Sequence, residues 1–268
     1  MNRISSFYKR KNEHERLNGP VGQLEFLRTK QLIAQYLSNR SGLEIADIGG
    51  GTGPYSFWLA ELGHNVQLFD LVELHIEQVN TINQSAKFPL RNFELADVRN
   101  LQLESETFDL ILLMGPLYHL TNRDDRIEVL KKTKNWIKPG GRVIVAYISR
   151  FASAMDGFIR GLFADPEFAD IVKQDLKSGI HTPNKENTRY FTDSYFHHPD
   201  EMEDEVSTAG LTVIDHVAVE GIGWLWQNFA ELWSDQRQRQ IMLDTIEITA
   251  REKTLLGASA HIAVVAEK

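Results

Sequence analysis

Three acidic residues stand at or near the ends of three strand-like runs. Asp47 lies in Leu43-Glu44-Ile45-Ala46-Asp47-Ile48, Asp70 closes Val66-Gln67-Leu68-Phe69-Asp70, and Asp97 closes Phe93-Glu94-Leu95-Ala96-Asp97. The first run continues into Gly49-Gly50-Gly51-Thr52-Gly53 and then a helical stretch. Glycines there admit positive φ and let a ligand approach the backbone closely. The helix behind them aims free N–H groups, about half a positive charge, at whatever the loop holds. A dinucleotide loop requires G-x-G-x-x-G/A. The third position here is Pro54 when counted from Gly49 and Ser56 when counted from Gly51, so both registers fail. A nucleoside without phosphates asks instead for a carboxylate on its ribose hydroxyls and a slot for its base. Asp70 suits the ribose, Asp97 an exocyclic amine, the Val98 N–H a ring nitrogen, and Asp47 an ammonium group. Three carboxylates also favour a ligand with positive charge.

Such a set needs a sheet to bring the strand ends together. After the Asp47 run, Tyr55, Trp58, Leu59 and Leu62 mark one apolar helix face that ends at Gly63. Strand 66–70 is followed by a helix over 73–86, and 93–97 is a third strand. The near-continuously apolar Phe108-Asp109-Leu110-Ile111-Leu112-Leu113-Met114 reads as a central parallel strand buried on both faces. A helix begins at a capping box of Thr121 and Asp124, Pro139-Gly140-Gly141 makes a turn, and 142–148 is the next strand. Residues 211–217 and 260–266 complete the set, with a long helical region over 224–252 between them. Strands alternating with helices specify an α/β fold: a doubly wound, Rossmann-like, mostly parallel seven-stranded sheet with right-handed crossovers. We expect one domain over 1–268. It comprises an N-terminal helical cover (1–40), a ligand-binding half (41–149), an inserted helical lid (150–199) and a completing segment (200–268). Met155, Phe158, Ile159, Leu162 and Phe163 form an apolar helix in the lid, expected to pack on the sheet edge.

The 268 residues carry 29 Lys and Arg against 37 Asp and Glu, a net charge of −8. This balance weighs against a surface that tracks a nucleic-acid backbone. There is no cysteine, so disulfides, thiolate metal sites and a cysteine nucleophile are excluded. No apolar run reaches the roughly 18–20 residues of a membrane span, and no apolar stretch follows the basic start as in a signal peptide. The expectation is a cytoplasmic protein, monomer or homodimer, without membrane contact.

The run Ile45-Ala46-Asp47-Ile48-Gly49-Gly50-Gly51-Thr52-Gly53 resembles the first motif of class I S-adenosylmethionine-dependent methyltransferases. Asp70, Asp97-Val98 and Trp136-Ile137-Lys138-Pro139-Gly140-Gly141 are similar to that family's later motifs in order and spacing. Gly22–Thr29, Gly115-Pro116-Leu117-Tyr118-His119-Leu120, Ile148–Ser153, Tyr190-Phe191-Thr192 and Leu255–His261 resemble one bacterial branch of it. The resemblance implies S-adenosyl-L-methionine as cofactor, held by Asp47, Gly49, Gly51, Gly53, Asp70, Leu71, Asp97, Val98 and Met114, with Arg28 available for its carboxylate. It implies an in-line methyl transfer in which the protein supplies alignment and, where needed, a base.

Families that methylate exocyclic amines carry Asn or Asp, then Pro-Pro and an aromatic residue, after the fourth strand. Gly115 has no side chain to accept from such an amine, which argues against that chemistry. Tyr118 and His119 remain as candidate catalytic residues: a His with a pKa of about 6.5 can take a proton from a phenol, carboxylic acid or amine. His119 can equally cap the next helix or pack in the core. Candidate substrate-binding residues are Tyr8 (with Phe7) in the cover, Arg150, Phe151, Tyr190 and His197 (with His181 and Tyr195) in the lid, and Trp224 after the sixth strand. His197-His198 lacks acids at zincin spacing, so no metal is assigned. The expected activity is methyl transfer to a small molecule. An RNA or tRNA methyltransferase and a non-catalytic cofactor-binding protein are the alternatives.

Overall fold

The computed structural model describes residues 3–9, 13–37, 40–184 and 189–268. Parts of the expected cover (1–2, 10–12, 38–39) and lid (185–188) lie outside the described residues. Helices α1 (Arg3–Tyr8), α2 (Glu13–Asn18) and α3 (Pro20–Tyr36) come first. The alternating unit follows: β1 (Glu44–Ile48), α4 (Pro54–Glu61), β2 (Asn65–Asp70), α5 (Glu73–Ser85), β3 (Asn92–Leu95), β4 (Phe108–Leu113), α6 (Pro116–His119), α7 (Arg123–Trp136) and β5 (Ile137–Ile148). The insertion holds α8 (Ala152–Arg160), α9 (Pro166–Ser178) and a small antiparallel pair, β6 (Ile180–His181) with β7 (Ser194–Tyr195). The chain closes with α10 (Pro199–Thr208), β8 (Thr212–Ala218), α11 (Phe229–Ser234), α12 (Gln236–Thr249) and β9 (His261–Glu267).

Among the described residues, seven strands form one sheet in the order β3-β2-β1-β4-β5-β9-β8. The pairings from β3 through to β5 are parallel, whereas β9 runs antiparallel to both β5 and β8. Strand order reverses between β1 and β4, so the loops after these strands flank the switch point where α/β sheets bind ligands. Period-two alternation divides β4 between two layers. Ile111 and Leu113 pack with Val143, Val145 and Trp136 on one face, and Leu110 and Leu112 pack with Ile45, Leu59 and Ile144 on the other. All four β4 residues are buried, which is why the run reads apolar throughout.

Three local readings change. The α7 cap is Asn122, whose side chain accepts from the Asp124 N–H at 2.9 Å, not Thr121. Asn122 holds the extended backbone that an N-cap needs, so the helix starts one residue later than the pattern suggests. Pro139-Gly140-Gly141 lies within β5 as an irregularity in its pairing with β4. The helical region 224–252 is divided into α11 and α12, with Asp235 between them capping α12 by accepting from the Gln238 N–H at 2.8 Å. In the lid, Met155 turns inward while Phe158 stands 77% exposed.

Candidate active site

The loop after β1 folds back over β2: the Gly49 N–H donates to the Phe69 carbonyl at 2.7 Å. Gly51 has φ +58°, and a Cβ there would meet nothing within 4 Å, so its backbone faces open space. That space is a cavity of about 350 Å³ at the switch point, within the range of small-ligand sites.

Asp70, at the end of β2, ties the two loops together. Its Oδ2 accepts from the Gly51 N–H at 2.9 Å, and its Oδ1 accepts from the Val72 N–H at 2.8 Å and from His75 Nδ1 at 3.0 Å. A carboxylate offers about four acceptor positions, so one remains toward the cavity. Asp47 is fully buried. Ser56 Oγ donates to its Oδ2 at 2.6 Å, while Oδ1 has no partner. Burial pushes the Asp47 carboxyl up to about 6, with the charge of Asp70 adding to it and Ser56 opposing. Asp97 lies in the turn after β3 and is clasped by its neighbour: Arg99 Nε and Nη2 hold both carboxylate oxygens, keeping Asp97 below the usual carboxylate range.

Across the cavity, β4 runs through Met114 and Gly115 into the single turn α6. Tyr118 and His119 both reach the wall. His119 Nε2 lies 3.0 Å from Tyr8 Oη, contributed by α1, and its Nδ1 lies 3.3 Å from the Asp193 carbonyl. Burial lowers His119 to about 4, with the Asp193 carbonyl and the charge of Asp70 opposing. It is therefore neutral near pH 7.

A third wall carries a cluster that sequence spacing could not show. His261 Nδ1 donates to Glu220 Oε1 at 2.6 Å and lies 3.9 Å from Glu25, which also pairs with Arg16. Burial would lower His261, but Glu220 and Glu25 drive it up to about 9. Burial would raise Glu25, but Arg16 and His261 hold it at about 2. One ligand atom each of Glu25, Glu220 and His261 lies within 4.8 Å of the others. With Arg16 they form an ion-pair network. Its members come from α2, α3, β9 and the segment after β8, and no local motif links them.

The expected residues divide clearly. Asp47, Gly49, Gly51, Asp70, Leu71, Asp97, Val98, Met114, Tyr118, His119 and Tyr8 line the cavity. Gly53 sits just behind, capping α4 at φ +83°. Arg28 lies elsewhere, bonded to Glu247 at 2.8 Å and Gln31 at 2.7 Å between α3 and α12. The other substrate candidates also stand outside the lining, each engaged structurally. Arg150 pairs with Glu201 at 2.7 Å, and Phe151 packs edge-on to His198. Tyr190 donates to Asp165 at 2.7 Å, His197 lies fully buried 3.4 Å from Glu205, and Trp224 donates to the Ala258 carbonyl at 2.8 Å. Their aromatic and basic types were consistent with either role, and only packing separates the two.

Residues 45–141, which contain the glycine loop, all three acids and Tyr118-His119, match the methyltransferase domain family. Over these residues the chain carries an S-adenosylmethionine-dependent methyltransferase domain. Its cofactor is S-adenosylmethionine. A ubiquinone biosynthesis O-methyltransferase of Mesorhizobium japonicum is 28% identical over 75% of this methyltransferase and 70% of its own length. A tRNA U34 carboxymethyltransferase of Campylobacter fetus is 36% identical, but over 38% of this chain and 35% of its own. An S-adenosylmethionine-dependent methyltransferase structure from Mesorhizobium loti shares the fold, with a TM-score of 0.61, 14% identity, and coverage of 90% of this chain and 98% of that one. No helix among the described residues is long and apolar enough to cross a membrane.

Proposed function

We propose that the enzyme methylates a small molecule. The observation that carries this reading is the covering of the cavity. Ile4 and Tyr8 of α1 contribute to its wall, with the Tyr8 ring against His75 and its Oη 3.0 Å from His119 Nε2, so the N-terminal helix covers part of a cavity of about 350 Å³. A nucleotide within a polynucleotide needs an open mouth with free cations along its rim. Among the described residues the lining arginines are spoken for, Arg16 by Glu25 and Arg99 by Asp97. The relative matched over most of its length is named for O-methylation in ubiquinone biosynthesis.

The residues present fit the cofactor. The unpartnered Asp47 Oδ1 can accept from its ammonium, the remaining Asp70 position from a ribose hydroxyl, and the Val98 N–H can donate to the adenine ring. Gly51 leaves room for the nucleoside, since a Cβ there would point into the cavity. Bound there, the cofactor supplies an electrophilic methyl group on a sulfonium. Met114, Pro116 and Tyr118 line the cavity and would flank the acceptor as it aligns with the methyl group.

Two measurements test the reading. Calorimetry should show S-adenosylhomocysteine binding in the micromolar range, with Asp70→Ala losing most of it. A metabolite library assayed by S-adenosylhomocysteine release should contain an acceptor. Turnover of tRNA transcripts with none of the library compounds would overturn the assignment.

A further inference from the structure

Tyr8 and His119 come from opposite ends of the fold's first half and meet in the cavity wall at 3.0 Å. The Asp193 carbonyl beside His119 Nδ1 can only accept, so Nδ1 carries the ring hydrogen. In the neutral ring Nε2 is then bare, and it is the Tyr8 O–H that donates. With its hydrogen on the bond to His119, Tyr8 Oη meets the cavity as an acceptor. A group that binds there must be a donor.

We propose that Tyr8 is the catalytic residue that takes the acceptor's proton, that His119 is the positioning residue behind it, and that the acceptor atom is a hydroxyl oxygen. This rests on the small-molecule reading above. An amine that arrives neutral attacks with its own electron pair and needs no base beforehand. A carboxylate has no proton to give. A hydroxyl must lose one, and Tyr8 faces it. The acceptor O–H bond breaks and its proton passes to Tyr8 Oη, while the hydrogen already on Tyr8 passes to His119 Nε2. The electron pair freed on the acceptor oxygen forms the new C–O bond, and the pair of the breaking C–S bond stays on sulfur. The positive charge lost from sulfur reappears on His119, so the cavity's net charge is unchanged across the step. Asp70 on β2 faces His119 and steadies that charge, and no acid on α1 competes for it. His75 on α5 touches the Tyr8 ring but spends its Nδ1 on Asp70. The low basicity that burial imposes on His119 returns the proton once product leaves.

The relay is assembled only while α1 is docked. Arg3 Nη1 pairs with Asp193 Oδ1 at 2.5 Å, Arg3 Nη2 donates to the Pro183 carbonyl at 2.9 Å, and Phe7 packs edge-on to Phe191. Asp193 thus holds α1 through its carboxylate and sets the tautomer of His119 through its carbonyl.

The experiment uses the full chain saturated with S-adenosylhomocysteine, then turnover with named probes. Nitrogen-15 histidine NMR should find His119 neutral and in the Nδ1–H tautomer down to about pH 5, and Tyr8→Phe should move the Nε2 resonance to that of a free acceptor. An Nε2–H tautomer would overturn the relay. Catechols, simple phenols and primary alcohols are then compared with amines and carboxylic acids by S-adenosylhomocysteine release. Hydroxyl compounds should be the substrates. Tyr8→Phe should lower kcat by about 100-fold or more with KM and S-adenosylhomocysteine affinity little changed. His119→Gln should regain rate as pH rises toward the acceptor's own ionisation, a recovery that a structural role would not produce. Phenol turnover with an unaffected kcat in Tyr8→Phe would sink the relay while leaving the small-molecule reading intact. Turnover confined to amines or carboxylic acids would refute the hydroxyl assignment. Methylation of tRNA alone would remove both.

Discussion

A Cβ placed on Gly49 would lie 2.6 Å from Pro116 Cδ. The loop after β1 and the start of α6 therefore approach so closely that only hydrogen fits between them. Gly49 also holds φ +77°, where other residues are strained. This contact sets the distance between the cofactor loop and the wall that carries Tyr118 and His119. Gly49→Ala is expected to lose about 1–3 kcal/mol of stability by urea unfolding and to weaken S-adenosylhomocysteine binding in the same protein.

Asp47 leads to a pH dependence of cofactor binding. Its carboxyl, raised to about 6 by burial, is largely protonated below that pH, and a bound ammonium would draw it back down. Binding then releases a proton on the acid side. Affinity should climb by up to about tenfold per pH unit toward pH 6 and level off above it. Calorimetry over this range, alongside Asp47→Asn, checks this. The variant should bind more weakly and lose the slope.

His261 makes the opposite prediction for stability. Its folded pKa of about 9 exceeds the ordinary 6.5. The stabilisation is therefore complete below 6.5 and disappears as pH rises through 9, with a size on the order of 3 kcal/mol. Thermal unfolding of the wild type should show this alkaline loss, and His261→Gln should show a flatter profile. The affected contact is the one by which α3 and the cavity floor hold each other, so loosening of the cover should accompany it.

Arg126 and Glu205 form a pair that is almost wholly buried, with Arg126 Nη2 donating to Glu205 Oε1 at 2.6 Å and Nη1 donating to the Leu120 carbonyl at 2.7 Å. Removing one partner leaves a buried charge uncompensated. Arg126→Met is expected to cost about 3–5 kcal/mol in denaturant unfolding, and the double variant Arg126→Met with Glu205→Leu should recover much of it. Because Arg126 also anchors the end of α6, the single change should disturb His119 more than it disturbs the cofactor loop.

The sheet, the glycine loop and the cofactor were legible in the amino-acid order because their signals are local. Strand periodicity, a glycine run between strand and helix, and Asp47, Asp70 and Asp97 at successive strand ends all lie within short windows, and the parallel sheet must bring those ends together. Arg28, Arg150, Phe151, Tyr190, His197 and Trp224 have residue types that suit a binding site, but in the structure long-range packing commits each of them to a partner outside the cavity. The pairing of Tyr8 with His119 spans 111 positions, and the joining of Glu25, Glu220 and His261 bridges opposite ends of the chain. Such contacts depend on where the cover lands on the finished sheet. The sequence by itself therefore determined the fold class and a site for a cationic nucleoside, and its resemblance to a known family named the cofactor. Which side chains face the acceptor was decided only by the tertiary structure, because a side chain's availability depends on what the rest of the chain has already bonded to it.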